Sequence, residues 1–556
     1  MVREPAEKAP KVEAPAVKAP SGGRSAALVT AGILLSRLAG LLRQRVMAHY
    51  FGAGALADVI AAAFRIGNIT QNLLGEGTLS ASFIPVYAKL RGGGRGREAA
   101  RFAWSSLWLL ALGVGAVSVL GVLFAPWLSA LLAAGFDADR LARTTQIVRV
   151  VFPMTGLLVL SAWGLGVLNA HRRFFLPYAA PVVWSAAQIA ALWALGGRLG
   201  WRGEALAEAL AWSALVGAAL QLGLLLPAAR RLLAEVGAGS GTGVGAGSSV
   251  EAGADAVGAD ARAGGLGLGD PNVREAVRRL PGALLGRGAI QISGLLDTLL
   301  VSFLGTGANA AFGYAQTVYL LPMSLLGTGE AAASLPEMAA DTAEADRARR
   351  NAAIQARLGA SLGRLTVLSL PATAALVGLG PELITLLFQT GSFDREATAR
   401  VAPLVAAYGI ALLGNASGRV LGATCFALGD TRTPARLAVV RVVVSTVLSV
   451  ALMQRLSVLG VVLGAVIAGW VEAILLGRRV RAEVGGLGLR AVRLGRVLAL
   501  TAVSLGAGLG ARAALPEGLT GKPLGALLVL GAFGGAFVVA APALGLLNVR
   551  SLLRRR

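Results

Sequence analysis

From residue 26 to residue 547 the chain alternates long apolar runs with short polar stretches, many of them rich in arginine. A bilayer's hydrocarbon core is crossed by about 20 helical residues. About fourteen runs reach that length, near 26–50, 56–90, 102–134, 143–170, 177–197, 204–233, 280–304, 308–340, 354–380, 394–426, 434–454, 457–477, 494–514 and 523–547. The pattern predicts an all-α polytopic membrane protein of about 14 transmembrane helices. Runs such as 56–90 and 102–134 exceed one bilayer thickness, so tilting, kinking or projection is expected there.

The polar stretches alternate in charge. Arg91, Arg95, Arg97 and Arg101 follow the second run, and Arg172 and Arg173 the fourth. Arg230, Arg231, Arg274, Arg278 and Arg279 lie between the sixth and seventh. Arg347, Arg349 and Arg350 follow the eighth, Arg432 and Arg436 the tenth, and Arg478, Arg479 and Arg481 the twelfth. The intervening stretches 51–55 and 305–309 carry no Lys or Arg. The positive-inside rule therefore places both termini and every even-numbered loop in the cytoplasm. Residues 1–24 have no apolar core and read as a disordered cytoplasmic tail, not a signal peptide. Residues 234–279 read as a Gly/Ala-rich cytoplasmic linker. They separate an N-lobe (25–233, spans 1–6) from a C-lobe (280–480, spans 7–12). Spans 13 and 14 and a basic tail fill 481–556.

Composition narrows the function. Hydrophobic residues make up 55% and charged residues 15%, with a net charge of +23. The positive charge lies in loops between apolar runs and forms no single basic face, which argues against nucleic acid and for anionic lipid headgroups as partners. The single cysteine, Cys425, excludes an intrachain disulfide, and two histidines, His49 and His171, leave little for a metal site. No G-x-x-x-x-G-K-[ST] loop and no Ser/His/Asp or paired-carboxylate constellation is present, so neither direct ATP use nor an enzyme is expected. No cofactor is expected; coupling to the membrane potential or to a monovalent cation remains open.

The charges inside the spans carry the chemistry. Arg37, Arg43 and Arg45 lie in the first run. Each intramembrane Arg costs at least ~2.5–3.5 kcal/mol, so such groups face a cavity, a partner or an interface. An anion in a water-filled cavity satisfies all three. Arg65 and Glu76 in the second run either line that cavity or pair with neighbours. Asp58 opens the same run, and either latches a gate by pairing with Arg43 or Arg45, or sits at a helix N-terminus favoured by the dipole. In the seventh run Asp297 is either an ion-coupling carboxylate or the partner of Arg287.

The two halves also resemble one another. Leu74-Gly75-Glu76-Gly77-Thr78-Leu79-Ser80-Ala81-Ser82-Phe83-Ile84-Pro85 recurs, with one deletion, as Leu326-Gly327-Thr328-Gly329-Glu330-Ala331-Ala332-Ala333-Ser334-Leu335-Pro336. Six spans separate the copies, so they share one orientation. Two parallel six-span lobes around a central cavity is a plan for alternating access.

Ser36-Arg37-x-x-Gly40-x-x-Arg43, Phe51-Gly52-Ala53-Gly54, Asp58, Phe64, Asn68, Glu76-Gly77, Ser80 and Phe83-x-Pro85 resemble the opening of the MurJ/MviN lipid II flippases, within the multidrug/oligosaccharidyl-lipid/polysaccharide exporter superfamily. Gln291-Ile292-Ser293, Leu387-Phe388-Gln389-x-Gly391-x-Phe393 and Asp430-Thr431-x-Thr433-Pro434 extend the resemblance through span 12. It implies a multi-pass protein of the bacterial inner membrane that transports an undecaprenyl-diphosphate-linked peptidoglycan precursor from inner to outer leaflet. Its diphosphate suits Arg forks. Such family members usually carry two further cavity arginines, where this chain has Gln71-Asn72 and Gln316-Thr317. Arg287 is then expected to restore one charge. Arg37, Arg43, Arg45, Arg65 and Arg287 are the expected substrate-binding residues, with Asp58 and Glu76 at a gate. Two alternatives stay open: a flippase for another lipid-linked glycan, and a non-transporting scaffold that recruits cell-wall synthesis proteins.

Overall fold

The computed structural model describes residues 22–238, 269–324, 338, 341–342, 346–489 and 493–546. The first six spans comprise α1 (Gly22–Phe51), α2 (Ala55–Leu74), α3 (Glu76–Gly92), α4 (Gly96–Leu123), α5 (Ala125–Leu132), α6 (Ala138–Ala170), α7 (Phe175–Ala179), α8 (Pro181–Ala191, continued by π-helical Leu192–Arg198) and α9 (Gly203–Ala238). The second set comprises α10 (Pro271–Ser302), α11 (Ala308–Met323), α12 (Arg347–Gly378), α13 (Gly380–Phe388), α14 (Arg395–Ala427), α15 (Arg432–Leu456) and α16 (Val458–Val484). Two more helices, α17 (Leu494–Ala513) and α18 (Pro523–Ala543), pack on α12 and α13. Ten helical stretches among the described residues are long and apolar enough to cross a membrane.

Three expected runs are broken, each for a local reason. Run 56–90 divides at Gly75, whose N–H donates to the Gln71 carbonyl at 2.7 Å. A Cβ on Gly75 would lie 2.4 Å from that oxygen, so only glycine permits the break. Run 102–134 divides at Phe124, ahead of Pro126, and the chain of run 354–380 breaks at Leu379, ahead of Pro381. Proline at the first turn of a new helix has no N–H to satisfy and favours such a restart. The copy of the repeat at 326–336 lies outside the described residues.

Close helix packing rests on small residues, as lipid-embedded bundles require. A Cβ on Gly67 of α2 would lie 2.3 Å from Val151 of α6, and one on Gly121 of α4 would enter the Phe152 ring. One buried core runs through both lobes, joining Ile60 and Phe64 of α2 to Phe312 and Tyr314 of α11 and Tyr408 of α14. A second, aromatic core of Phe83, Tyr87, Phe102, Trp104 and Trp163 ties α3, α4 and α6 together.

Candidate functional site: a cationic cavity between the lobes

A cavity of about 450 Å³ lies where α1, α2 and α8 of the first lobe face α10 and α11 of the second. Arg37 and Arg43 of α1, and Arg65 of α2, line it, and no Asp or Glu appears among its described lining residues. Asn68, Gln71, Ser185, Asn309, Gln316 and Thr317 add uncharged polar groups. Helix α1 continues unbroken through Gly40. Six residues at 100° each set Arg37 and Arg43 about 120° apart, an arc that two long side chains bridge without a bend.

Two of the three cavity cations, Arg43 and Arg65, are held by protein partners. The Arg43 guanidinium lies 4.4 Å over the Trp184 ring and donates to Gln188 Oε1 at 3.4 Å. Gln188 is fully buried and donates to the Trp184 carbonyl at 3.1 Å, and the Trp184 indole N–H donates to the Ala214 carbonyl at 3.0 Å. Arg65 Nη1 donates to Gln316 Oε1 at 2.8 Å, and Nη2 reaches the Gly294 carbonyl at 3.5 Å. Arg43 Nε, Arg65 Nε and Asn309 Nδ2 have no protein acceptor but are buried within the cavity wall. The three guanidinium groups that line the cavity favour a ligand rich in acceptor oxygens.

One end of the cavity is sealed by the loops at 52–54, 133–137, 303–307 and 389–394. Asp58, fully buried, accepts from the Gly307 N–H at 2.5 Å and the Ala310 N–H at 2.9 Å. It thus caps α11 of the opposite lobe, where a carboxylate is favoured by the unpaired amides. Arg140 Nη1 lies 3.5 Å from the same carboxylate. The Tyr314 hydroxyl donates to the Gly52 carbonyl at 2.9 Å. The Ser392 N–H donates to the His49 carbonyl at 2.8 Å, and His49 Nδ1 meets Thr390 Oγ1 at 2.9 Å.

This arrangement revises several expectations. Arg45 does not line the cavity; it donates to the carbonyls of Leu386 and Leu387 at the C-terminus of α13, where a cation complements the exposed acceptors. Two residues, or about 200°, separate it from Arg43, so the two point to different surroundings. Asp58 meets the α11 amides and Arg140, not Arg43 or Arg45. The expected pairing with Arg43 or Arg45 is therefore absent; the carboxylate sits in the first turn of its own helix, α2, and joins the lobes by capping α11 instead. Asp297 has Arg65 and Arg441 as its charged neighbours, and Arg441 also bonds Glu472 at 2.8 Å. The side chains of Glu76 and Arg287 lie outside the described residues. Sequence reasoning missed Trp184, Gln188 and Asn309, which no charge pattern marks.

Two helical lobes around a cavity lined by three arginines, with no Asp or Glu among its described lining residues, define a polytopic transporter. The model of the family described as "Lipid II flippase MurJ" matches residues 47–524, and the chain belongs to that family. The lipid II flippase MurJ of Burkholderia cenocepacia is 27% identical over 458 residues, 82% of each chain. A probable lipid II flippase MurJ of Rhizobium meliloti is 30% identical over 454 residues, covering 81% of this chain and 79% of that one. Among solved structures, an inward closed lipid II flippase MurJ superposes with a TM-score of 0.70 at 18% identity, over 93% of this chain and 99% of that one. An inward-facing multidrug MATE transporter superposes with a TM-score of 0.64 at 15% identity, over 83% and 98%. Fold and membership thus agree with the resemblance read from Ser36–Arg43 and Phe51–Pro85.

Proposed function

We propose that this protein flips lipid II, carrying the undecaprenyl-diphosphate-linked peptidoglycan precursor from the inner to the outer leaflet by alternating access. The observation that carries this reading is the cavity wall: three arginines and, among the described residues, no carboxylate. A cationic drug would favour the opposite charge. The arginine-rich even loops put the sealed end on the outer side, so the cavity loads from the cytoplasm. At about 450 Å³ the cavity matches one drug-sized ligand. A glycan headgroup larger than that enters only as the lobes part, while the prenyl tail stays in lipid.

Asp297 is a poor bare-cation site, because two guanidinium groups already flank it. That favours the membrane potential, acting on the charged cargo, over a bound cation as the driving force. The test is complementation of a strain depleted of its own lipid II flippase, paired with a fluorescent lipid II translocation assay in proteoliposomes. Growth rescue together with translocation is expected. Rescue without translocation would point to the scaffold role, and translocation of other lipid-linked glycans but not lipid II would change the cargo.

A further inference from the structure

The two central cavity arginines are held in opposite ways. Arg43 is held by its own lobe, through Gln188 and Trp184. Arg65 belongs to the first lobe but is held by the second, through Gln316 of α11 and the Gly294 carbonyl of α10. Asp297, three residues beyond Gly294 and so on the same side of α10, is its charged neighbour. Gly294 is shaped for this contact, since a Cβ there would lie 2.6 Å from Arg65 Nη2. Arg441 and the buried Tyr408 are the other ionisable groups at Asp297.

We propose that Gln316, Gly294 and Asp297 form a docking site in the second lobe from which a bound diphosphate withdraws Arg65, so that the substrate unlocks the lobes around itself. This rests on the anionic-lipid reading above. A ligand shifts a conformational equilibrium only through affinity that differs between the two states. Arg43 supplies little such difference, because its holders move with it. Arg65 supplies it directly. Docked, its guanidinium is shared with Gln316 and a backbone carbonyl and is partly neutralised by Asp297. Undocked, it offers a full charge and a fork that matches phosphate oxygens. The anion therefore binds best once Arg65 has left the second lobe, and holding Arg65 docked keeps the empty protein closed.

The test uses the full chain in lipid nanodiscs, with Cys425→Ser and spin labels at Lys89→Cys and Arg432→Cys, and undecaprenyl diphosphate as the probe. Pulsed electron–electron resonance reads the inter-lobe distance, and a titration reads affinity. The probe should shift the distance in the otherwise unchanged protein. Gln316→Ala and Asp297→Asn should show the shifted distance without probe and bind it about 5- to 10-fold more tightly, within the usual range of coupling factors. Arg65→Gln should bind more weakly and lose the probe-dependent shift. Gln316→Ala removes only an uncharged side chain at the cavity wall, so it serves even where Asp297→Asn fails to fold. If the probe binds and shifts the parent while both docking-site variants match it in distance and affinity, the competition does not exist and the proposal fails, with the flippase reading intact. If the probe does not bind the parent at all, that reading fails and takes the proposal with it.

Discussion

Replacing Asp58 with alanine removes a fully buried polar contact between the lobes. Its carboxylate is inaccessible to solvent and accepts two amide bonds from the N-terminus of α11, at 2.5 and 2.9 Å, with Arg140 at 3.5 Å. Alanine leaves the Gly307 and Ala310 amides without acceptors, while Arg140 keeps its 2.6 Å pair with Asp137. Two buried donors left unpaired at about 1.5–2.5 kcal/mol each cost about 3–5 kcal/mol. That penalty falls on the sealed state, because once the lobes part water can solvate the freed amides. At 1.4 kcal/mol per tenfold, the sealed-to-open ratio should drop by roughly 10²- to 10⁴-fold. Spin labels at Leu199→Cys and Thr306→Cys, exposed at the sealed end on opposite lobes, report the change. In a Cys425→Ser background, Asp58→Ala should broaden the distance distribution toward longer values. Asp58→Asn, which keeps one acceptor oxygen, should do so less. An unchanged distribution for a well-folded Asp58→Ala protein would refute the idea that this carboxylate holds the seal.

Arg37→Ala should abolish complementation at normal expression, and Arg37→Lys should be partly defective because ammonium cannot form the bidentate fork; full activity of Arg37→Ala would remove this residue from the site. Gly245→Cys, in a Cys425-free protein, should resist membrane-impermeant thiol reagents added to intact cells, and strong labelling would reverse the orientation. His171, beyond the end of α6, accepts or donates a 2.8 Å bond with the Tyr87 hydroxyl, and burial, with Arg91 and Arg173 adding to it, pushes its imidazole down to about 4 from 6.5. The unfolded chain therefore takes up the proton first: this contribution to stability is complete above about pH 6.5 and fades as pH falls toward 4. The melting-temperature difference between the parent and His171→Asn should shrink over that window, and a difference that grows on acidification would refute the assignment.

The span pattern was legible because apolar run length and loop charge are local properties that a bilayer imposes on every segment. The breaks were less so. Gly75, Pro126 and Pro381 are visible in the chain, but only the packed structure shows that the helices restart there and do not merely bend. At the site, charge in an apolar run marked Arg37, Arg43 and Arg65, all three of which line the cavity. It also marked Arg45, for which helical angle alone offers no destination; the α13 carbonyls it meets stand 341 and 342 residues away. Asp58 was recognisable as out of place, yet its acceptor role joins amides 249 and 252 residues further on. Trp184 looks like any other member of an apolar run, and Gln188 is a polar departure without charge; only their grip on Arg43 separates them.

The sealing contacts differ in what they are worth, and the difference locates the gate. The His49, Ser392 and Arg45 contacts join backbone carbonyls or hydroxyls at partly exposed positions. On opening, water replaces such partners, so each contributes on the order of 0.5–1.5 kcal/mol net. Tyr314 to Gly52 and Asp58 to α11 are buried, and their partners are left dry until the lobes have moved far enough to admit water. An opening motion thus meets its steepest resistance early, while these two contacts are stretched but not yet solvated. Arg65 sits below them on the same helix as Asp58, about two turns away, and is held by the same helix, α11, that Asp58 caps. A diphosphate that draws Arg65 off Gln316 therefore pulls at α2 against α11 along the line on which the seal is made. That common line joins an anion in the cavity to a gate about 10 Å away with no intervening relay, since α2 rises 1.5 Å per residue over the seven residues between them.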